Sequence, residues 1–177
     1  MSFKMLEQMR AKYAFDCILE FKTLNARLSK KISEKDYANQ LRKLPSMIMQ
    51  NGLLTTLAFL RSKSKVELKN KEKILNDEAV VLYQLVRYLK ETINMKLEEI
   101  KVNIENANVN SVKSYLVNEY DEKGNVIRKS EYAKLIGKLL DSSFSEYRAI
   151  TSEALRIAQW LKRIAEGEIE DEGKGSD

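Results

Sequence analysis

The sequence contains very few residues that interrupt a helix. Within residues 1–165 the only proline is Pro45 and the only glycines are Gly52, Gly124 and Gly137. Proline removes a backbone donor, and glycine weakens a helix interior by about 1 kcal/mol relative to alanine. So few breakers over so long a stretch predict an all-α protein with long helices.

The positions of apolar residues indicate where those helices lie. Near residues 3–28 apolar side chains recur every three or four residues, as expected for one face of a helix: Leu6, Met9, Tyr13, Cys17, Phe21, Leu24 and Leu28. Because Cys17 lies within this stripe, we interpret it as a small core residue and not as a reactive thiol. Ser33 followed by Asp36 predicts the start of a second helix.

The segment from residue 44 to residue 60 is the most apolar in the chain. Leu44 precedes Pro45, which predicts a break or kink there and a new helix from Pro45 to about Leu60. A helix that is apolar nearly all round is buried on several sides, so this one is predicted to be the central helix or part of an interface. Gly52 within it suggests close packing of another backbone.

The remaining segments complete a bundle. Residues 61–75 are read as a polar connection leading into a short helix, and Asn76 or Asp77 as the cap of a long helix with apolar residues from Leu82 to Ile104. Alternating residues around Lys123-Gly124-Asn125 predict a β-hairpin near 113–129. Two further helices are predicted, from Ser130 to about Leu140 and from about Ser145 to Ala165. The predicted fold is a compact, single-domain helical bundle of about five to seven helices over residues 1–165.

The composition excludes most catalytic chemistry. The chain has no histidine and one cysteine, so it cannot build a histidine-based nucleophile, a Cys/His zinc site or an internal disulfide. Glycine-rich phosphate loops are absent. The acidic pairs Glu98-Glu99 and Asp121-Glu122 leave a metal-dependent nuclease as one alternative. We predict no enzymatic activity, no cofactor and no metal. The lack of disulfides favours the cytoplasm, and no apolar run reaches the ~18 residues of a membrane span.

Charge is distributed unevenly along the chain. Residues 166–177 carry a net charge of −5 and are predicted to form a disordered acidic tail, whereas residues 1–165 carry a net charge of +10. A basic body favours a polyanionic partner, although Lys and Glu on helix surfaces also serve solubility alone. The candidate nucleic-acid-binding residues are Arg10, Lys12, Arg42, Lys43, Arg61, Lys63, Arg148, Arg156, Lys162 and Arg163.

Three segments resemble a known family. LPSMIMQNGLLTTLAFL at 44–60 is similar to the signature helix of the small subunit of Cmr complexes, the type III-B CRISPR effectors that silence RNA. SEALRIAQWLKRIAEGE at 152–168 and MRAKYAFDCI at 9–18 also fit that family, in its expected order and spacing. The hairpin region near 113–129 and the acidic tail look like departures from it.

The resemblance implies a function in antiviral defence. It implies a non-catalytic, helical subunit that stacks head to tail with copies of itself beside the backbone subunits of a Cmr complex. Such subunits line the path of the CRISPR RNA paired to its target RNA, and other subunits cleave the target. The alternative is a stand-alone helical adaptor for proteins, without a nucleic-acid role. Deletion of residues 167–177 is expected to leave assembly intact.

Overall fold

The chain folds into a helical bundle with two small hairpins. In the computed structural model, residues 3–28, 31–69, 72–94 and 100–169 are described. Their helices and strands are α1 (Phe3–Ala26), α2 (Glu34–Asn51), α3 (Leu53–Lys63), β1 (Val66–Lys69), β2 (Glu72–Leu75), α4 (Asp77–Ile93), α5 (Val109–Leu116), β3 (Glu119–Tyr120), β4 (Val126–Arg128), α6 (Glu131–Asp141) and α7 (Phe144–Glu168). The predicted all-α class and compact bundle are confirmed.

Short polar side chains fix the beginnings of the helices, as the sequence predicted. Ser33 caps α2 by accepting a hydrogen bond from the Asp36 backbone N–H, and Asn76 caps α4 through the Ala79 N–H. Ser130 caps α6 in the same way. Ser143 and Glu146 form a reciprocal capping box at α7, so that helix begins one residue before the predicted Ser145.

The central helix is α4, not the apolar 45–60 segment. Every residue of α4 from Ala79 to Leu89 is buried, and α2, α3, α5, α6 and α7 all pack against it. α7 also packs along α1 and α2. The side chain of Cys17 is fully buried in this core, and burial raises the pKa of its thiol to about 12, which confirms that it is a core residue.

The predicted break at Pro45 is wrong. α2 continues through Pro45 and ends instead just before Gly52. The φ of Gly52 is 80°, a value that glycine adopts readily. Leu41, Leu44, Pro45 and Ile48 are all buried on one side of α2. Their packing offsets the backbone hydrogen bond that the proline cannot make. The apolar segment is therefore divided between two helices, α2 and α3, which are separated by Gly52.

The hairpins differ from the sequence-based predictions in two ways. β1 and β2 pair in an antiparallel hairpin, with Val66 opposite Leu75, where a short helix was predicted. The predicted hairpin near 113–129 exists but is shorter, because residues 109–116 form α5. Its turn contains Gly124 at a φ of 82°, and the Asp121 carboxylate accepts backbone hydrogen bonds from Lys123 and Asn125.

Two helix ends also differ from the predictions. α4 ends at Ile93, so the apolar stripe predicted to continue to Ile104 does not belong to one helix. α7 extends to Glu168, and Ile169, which follows it, is only 3% exposed. The acidic tail was predicted to be disordered over residues 166–177. Its first three residues instead belong to α7, and residues 170–177 lie outside the described residues. None of the described helices has the length and hydropathy needed to cross a membrane.

Candidate nucleic-acid interface

Arg10 is buried, contrary to its prediction as a surface residue. Its side chain is 2% exposed and donates two hydrogen bonds to Glu153, from Nε to Oε1 at 2.8 Å and from Nη2 to Oε2 at 2.7 Å. It also pairs with Glu7, and the Tyr88 hydroxyl donates to Glu153 Oε1 at 2.6 Å. Burial opposes ionisation of Glu153, yet the hydrogen bonds from Arg10 and Tyr88 outweigh it and lower its pKa. Arg10 therefore joins α1 to α7.

A second buried ion pair joins α1 to α4 and was not predicted from the sequence. Arg87 donates to both carboxylate oxygens of Glu20, at 2.6 and 2.8 Å, and its Nε donates to the Tyr13 hydroxyl at 3.1 Å. Gln84 in turn donates to the Cys17 carbonyl at 2.9 Å. These groups satisfy one another within the core, so they stabilise the relative positions of the helices and leave no group for a ligand.

The other candidates on α1 and α7 are mostly offset by nearby carboxylates. Lys12 pairs with Asp16 at 2.8 Å, Arg156 lies 3.6 Å from Glu153, and Lys162 lies 3.9 Å from Glu166. Two arginines of α7 contact aromatic rings instead. Arg148 lies 6.0 Å from the centre of the Phe144 ring, and Arg163 lies 5.7 Å from that of Trp160. The net positive potential along α7 is therefore reduced.

The candidates on α2 and α3 lie in a segment without acidic residues. Residues 37–66 contain no aspartate or glutamate, and they contain Arg42, Lys43, Arg61, Lys63 and Lys65. The side chains of Lys43 and Lys63 are exposed and form no ion pair with any described residue. Arg61 is half-buried and donates from Nε to the Leu116 carbonyl at 3.1 Å. Arg42 is half-buried and donates to Asn39 Oδ1 at 3.0 Å. We call this region, α2 from Tyr37 together with α3, the α2–α3 surface.

A groove runs between the two helices of the α2–α3 surface. It has a volume of about 450 Å³ and is lined by Gln40, Lys43, Met47, Asn51, Thr55, Thr56 and Phe59. One end approaches the beginning of α4, where Gln40 donates to Glu78 at 3.3 Å. Asp77 lies beside Glu78, and burial together with the Glu78 charge raises its pKa to about 6. The groove thus has one basic lining residue, Lys43, and two acidic residues near its Gln40 end.

The acidic pairs considered for a metal-dependent nuclease do not form a site in the described structure. Asp121 holds the β3–β4 turn together, and its pKa is lowered by hydrogen bonds from Asn125. Glu98 and Glu99 lie outside the described residues. Across residues 3–28, 31–69, 72–94 and 100–169 no three Cys, Asp or Glu side chains are arranged to hold a metal ion.

Comparison with known families identifies the relatives of this bundle. A model of a CRISPR-associated protein family, Cas_Cmr5, matches residues 6–168. The chain belongs to the Cas_Cmr5 family. This is the small-subunit family of type III-B Cmr complexes, so the chain is a subunit of a CRISPR Cmr complex, and the resemblance read from the sequence is confirmed.

The Cas_Cmr5 match covers nearly the whole described chain. It runs through both hairpins, so the β3–β4 hairpin lies within the matched span. The match ends at residue 168, the last residue of α7, one position before the buried Ile169. Cas_Cmr5 is a family of structural Cmr subunits.

Proposed function

We propose that this subunit lines the path of the guide and target RNA in a Cmr complex, and that the α2–α3 surface faces the RNA. The observation that carries the proposal is the absence of carboxylates from residues 37–66, combined with the exposure of Lys43 and Lys63. Cations that form no ion pair retain more of their attraction for a polyanion. Lysines such as Lys12, which already pair with an acid, contribute less.

The chemistry of such a surface is neutralisation of phosphates. Lysine and arginine side chains near a nucleic-acid backbone release condensed counterions, which makes binding favourable and dependent on salt. Phosphate contacts carry no sequence information, and in an RNA-guided complex base pairing with the guide supplies the specificity. A basic helical surface is suited to this sequence-neutral task.

The candidate residues differ in how well they are placed to bind RNA. Lys43 and Lys63 are the primary contacts, and Arg42 and Arg61 support them from half-buried positions. Arg148 and Arg163 on α7 form a second, weaker group, followed by Lys12, Arg156 and Lys162, which are paired with acids. Arg10 is removed from the proposed set because its guanidinium is buried against Glu153.

Exposed apolar side chains at two other places suit contacts with protein subunits. Tyr120, Val126 and Ile127 are exposed on the β3–β4 hairpin, and Leu140 and Phe144 are exposed at the corner between α6 and α7. Head-to-tail stacking requires two different surfaces on each copy, since the contact is not self-complementary. These two regions are our candidates for stacking and for contacts with the backbone subunits. In this role the subunit is non-catalytic and acts in the cytoplasm.

The experiment compares charge reversals at two matched pairs of lysines. In Cmr complexes assembled with the variant chain, Lys43→Glu with Lys63→Glu is expected to weaken target-RNA binding. It should also lower the dependence of log affinity on log salt by about 0.7 to 0.9 for each phosphate that the protein no longer neutralises. The control is Lys12→Glu with Lys162→Glu, which makes the same change of charge at paired positions and should have a smaller effect.

Two outcomes would contradict the proposal. Equal salt dependence for the two double variants would show that the α2–α3 surface does not face RNA. Purification of the tagged chain from native lysate without other Cmr subunits or CRISPR RNA would favour the stand-alone adaptor.

A further inference from the structure

The groove of the α2–α3 surface contains an exposed aromatic ring, a lysine and several polar side chains. Phe59 is 44% exposed and lines the groove opposite Lys43. Lys63 follows Phe59 by four residues, so it lies on the same face of α3, about 6 Å further along the helix. The ring therefore has Lys43 in the same groove and Lys63 one turn along α3, and neither lysine forms an ion pair with a described residue.

Hydrogen-bonding groups beside the ring are also unpaired within the described part of the protein. The side chains of Asn51 and Thr55 line the groove and are exposed, and neither forms a hydrogen bond with any described residue. An amide and a hydroxyl can each donate and accept. The groove thus offers a flat apolar surface, adaptable hydrogen-bonding groups and positive charge, with the volume of a small-ligand site.

We propose that this groove binds an unpaired nucleotide of RNA, with the base against the Phe59 ring and the flanking phosphates at Lys43 and Lys63. The inference rests on the proposed function and adds a specific subsite to it. Base stacking on aromatic side chains tolerates any sequence because every base has a π-face. Glu78 lies at the Gln40 end, where Asn76 donates both to its carboxylate and to the Lys63 carbonyl, so Lys43 is the lysine further from this acid.

The charge of the groove favours a nucleic-acid strand over a protein segment. An apolar protein segment would need a largely apolar groove, whereas only Met47 and Phe59 of the seven lining residues have fully apolar side chains. Met49, which is 70% exposed, is not among the lining residues, so it does not extend the apolar part of the groove. The lysines match the charge of a phosphate backbone, so an RNA strand fits the chemistry better.

The test measures binding of the purified full chain to two RNA probes of equal length, a single-stranded adenosine oligomer and a fully paired duplex. Phe59→Ala is expected to weaken binding to the single strand about tenfold, as expected for removal of one stacked base. Its effect on the duplex and on the salt dependence should be small. Phe59→Trp should keep the affinity, because it preserves the aromatic face. The control is Phe15→Ala, which removes a comparably exposed ring from α1.

Each other outcome overturns a distinct part of the proposal. If Phe59→Ala behaves like Phe15→Ala while Lys43→Glu with Lys63→Glu weakens binding, the base site is refuted and the RNA-facing surface stands. If the lysine reversals also have no effect, the proposed function fails with it. If Phe59→Ala leaves RNA binding unchanged but releases the chain from the other Cmr subunits, the groove binds protein.

Discussion

Replacement of Glu153 by glutamine tests whether Arg10 is a structural residue. Glu153 accepts two hydrogen bonds from Arg10 and one from the Tyr88 hydroxyl, at distances between 2.6 and 2.8 Å. Glu153→Gln preserves the shape of the side chain but removes the negative charge. The 2%-exposed guanidinium would then keep only Glu7, at the edge of the cluster, as its counter-ion.

The expected loss of stability follows from the cost of leaving a buried charge without its partner. Removing one member of a buried ion pair costs about 3 to 5 kcal/mol. Because Glu7 still interacts with Arg10, we expect the lower end, about 3 kcal/mol. In a chain of this length that lowers the melting temperature by roughly 6 to 12 °C.

Thermal unfolding followed by circular dichroism at pH 7 measures this loss, and a triple variant provides the control. Arg10→Met, Tyr88→Phe and Glu153→Leu together replace the cluster by apolar groups, which should restore most of the stability. The triple variant should also keep its RNA affinity, because Arg10 does not face the RNA. A loss below 1 kcal/mol in Glu153→Gln, or a triple variant no more stable than the single one, would refute the structural role of Arg10.

Two further predictions concern the beginning of α4 and the end of α7. The pKa of Asp77 is raised from 3.8 to about 6, so its ionisation destabilises the fold as pH rises from about 4 to 6. Asp77→Asn should therefore be more stable than wild type at pH 7, by about 1 kcal/mol after allowance for the partial exposure of the carboxyl. In urea titrations this difference in unfolding free energy should vanish near pH 4. Since Ile169 is buried, truncation after Glu168 should cost about 2 kcal/mol, whereas truncation after Ile169 should leave the melting temperature unchanged. Equal melting temperatures for the two truncations would show that Ile169 contributes nothing.

The sequence predicted helix beginnings well because they depend on local chemistry. Ser33, Asn76 and Ser130 each cap a helix by accepting a hydrogen bond from the backbone N–H three residues ahead. Such contacts need no information from distant residues. The break at Gly52 was harder to predict, because the local preference of Pro45 to end a helix is overridden by packing of α2 against α4 and α7.

The buried ion pairs were missed although a signal for one of them exists. Arg10 lies four residues after Leu6 and three before Tyr13, so it shares the helical stripe of α1. A charged residue within an apolar stripe indicates a buried partner, but only the tertiary structure shows that Glu153, 143 positions away, supplies it. The same reasoning applies to Arg87 and Glu20, which come from different helices.

The positive character of the α2–α3 surface arises from missing acids, not from extra bases. Residues 37–66 carry five basic residues in 30 positions, nearly the same density as the 30 basic residues among positions 1–165. None of the 20 acids of residues 1–165 lies in this stretch, and several of them pair with Arg10, Arg87 and Lys12. A count of lysines and arginines would therefore not distinguish α2–α3 from α7. The α2–α3 surface is positive because its sequence contains no carboxylate. One glutamate introduced at the exposed Ser46 or Ser62 should therefore weaken RNA binding more than removal of one paired lysine from α1 or α7.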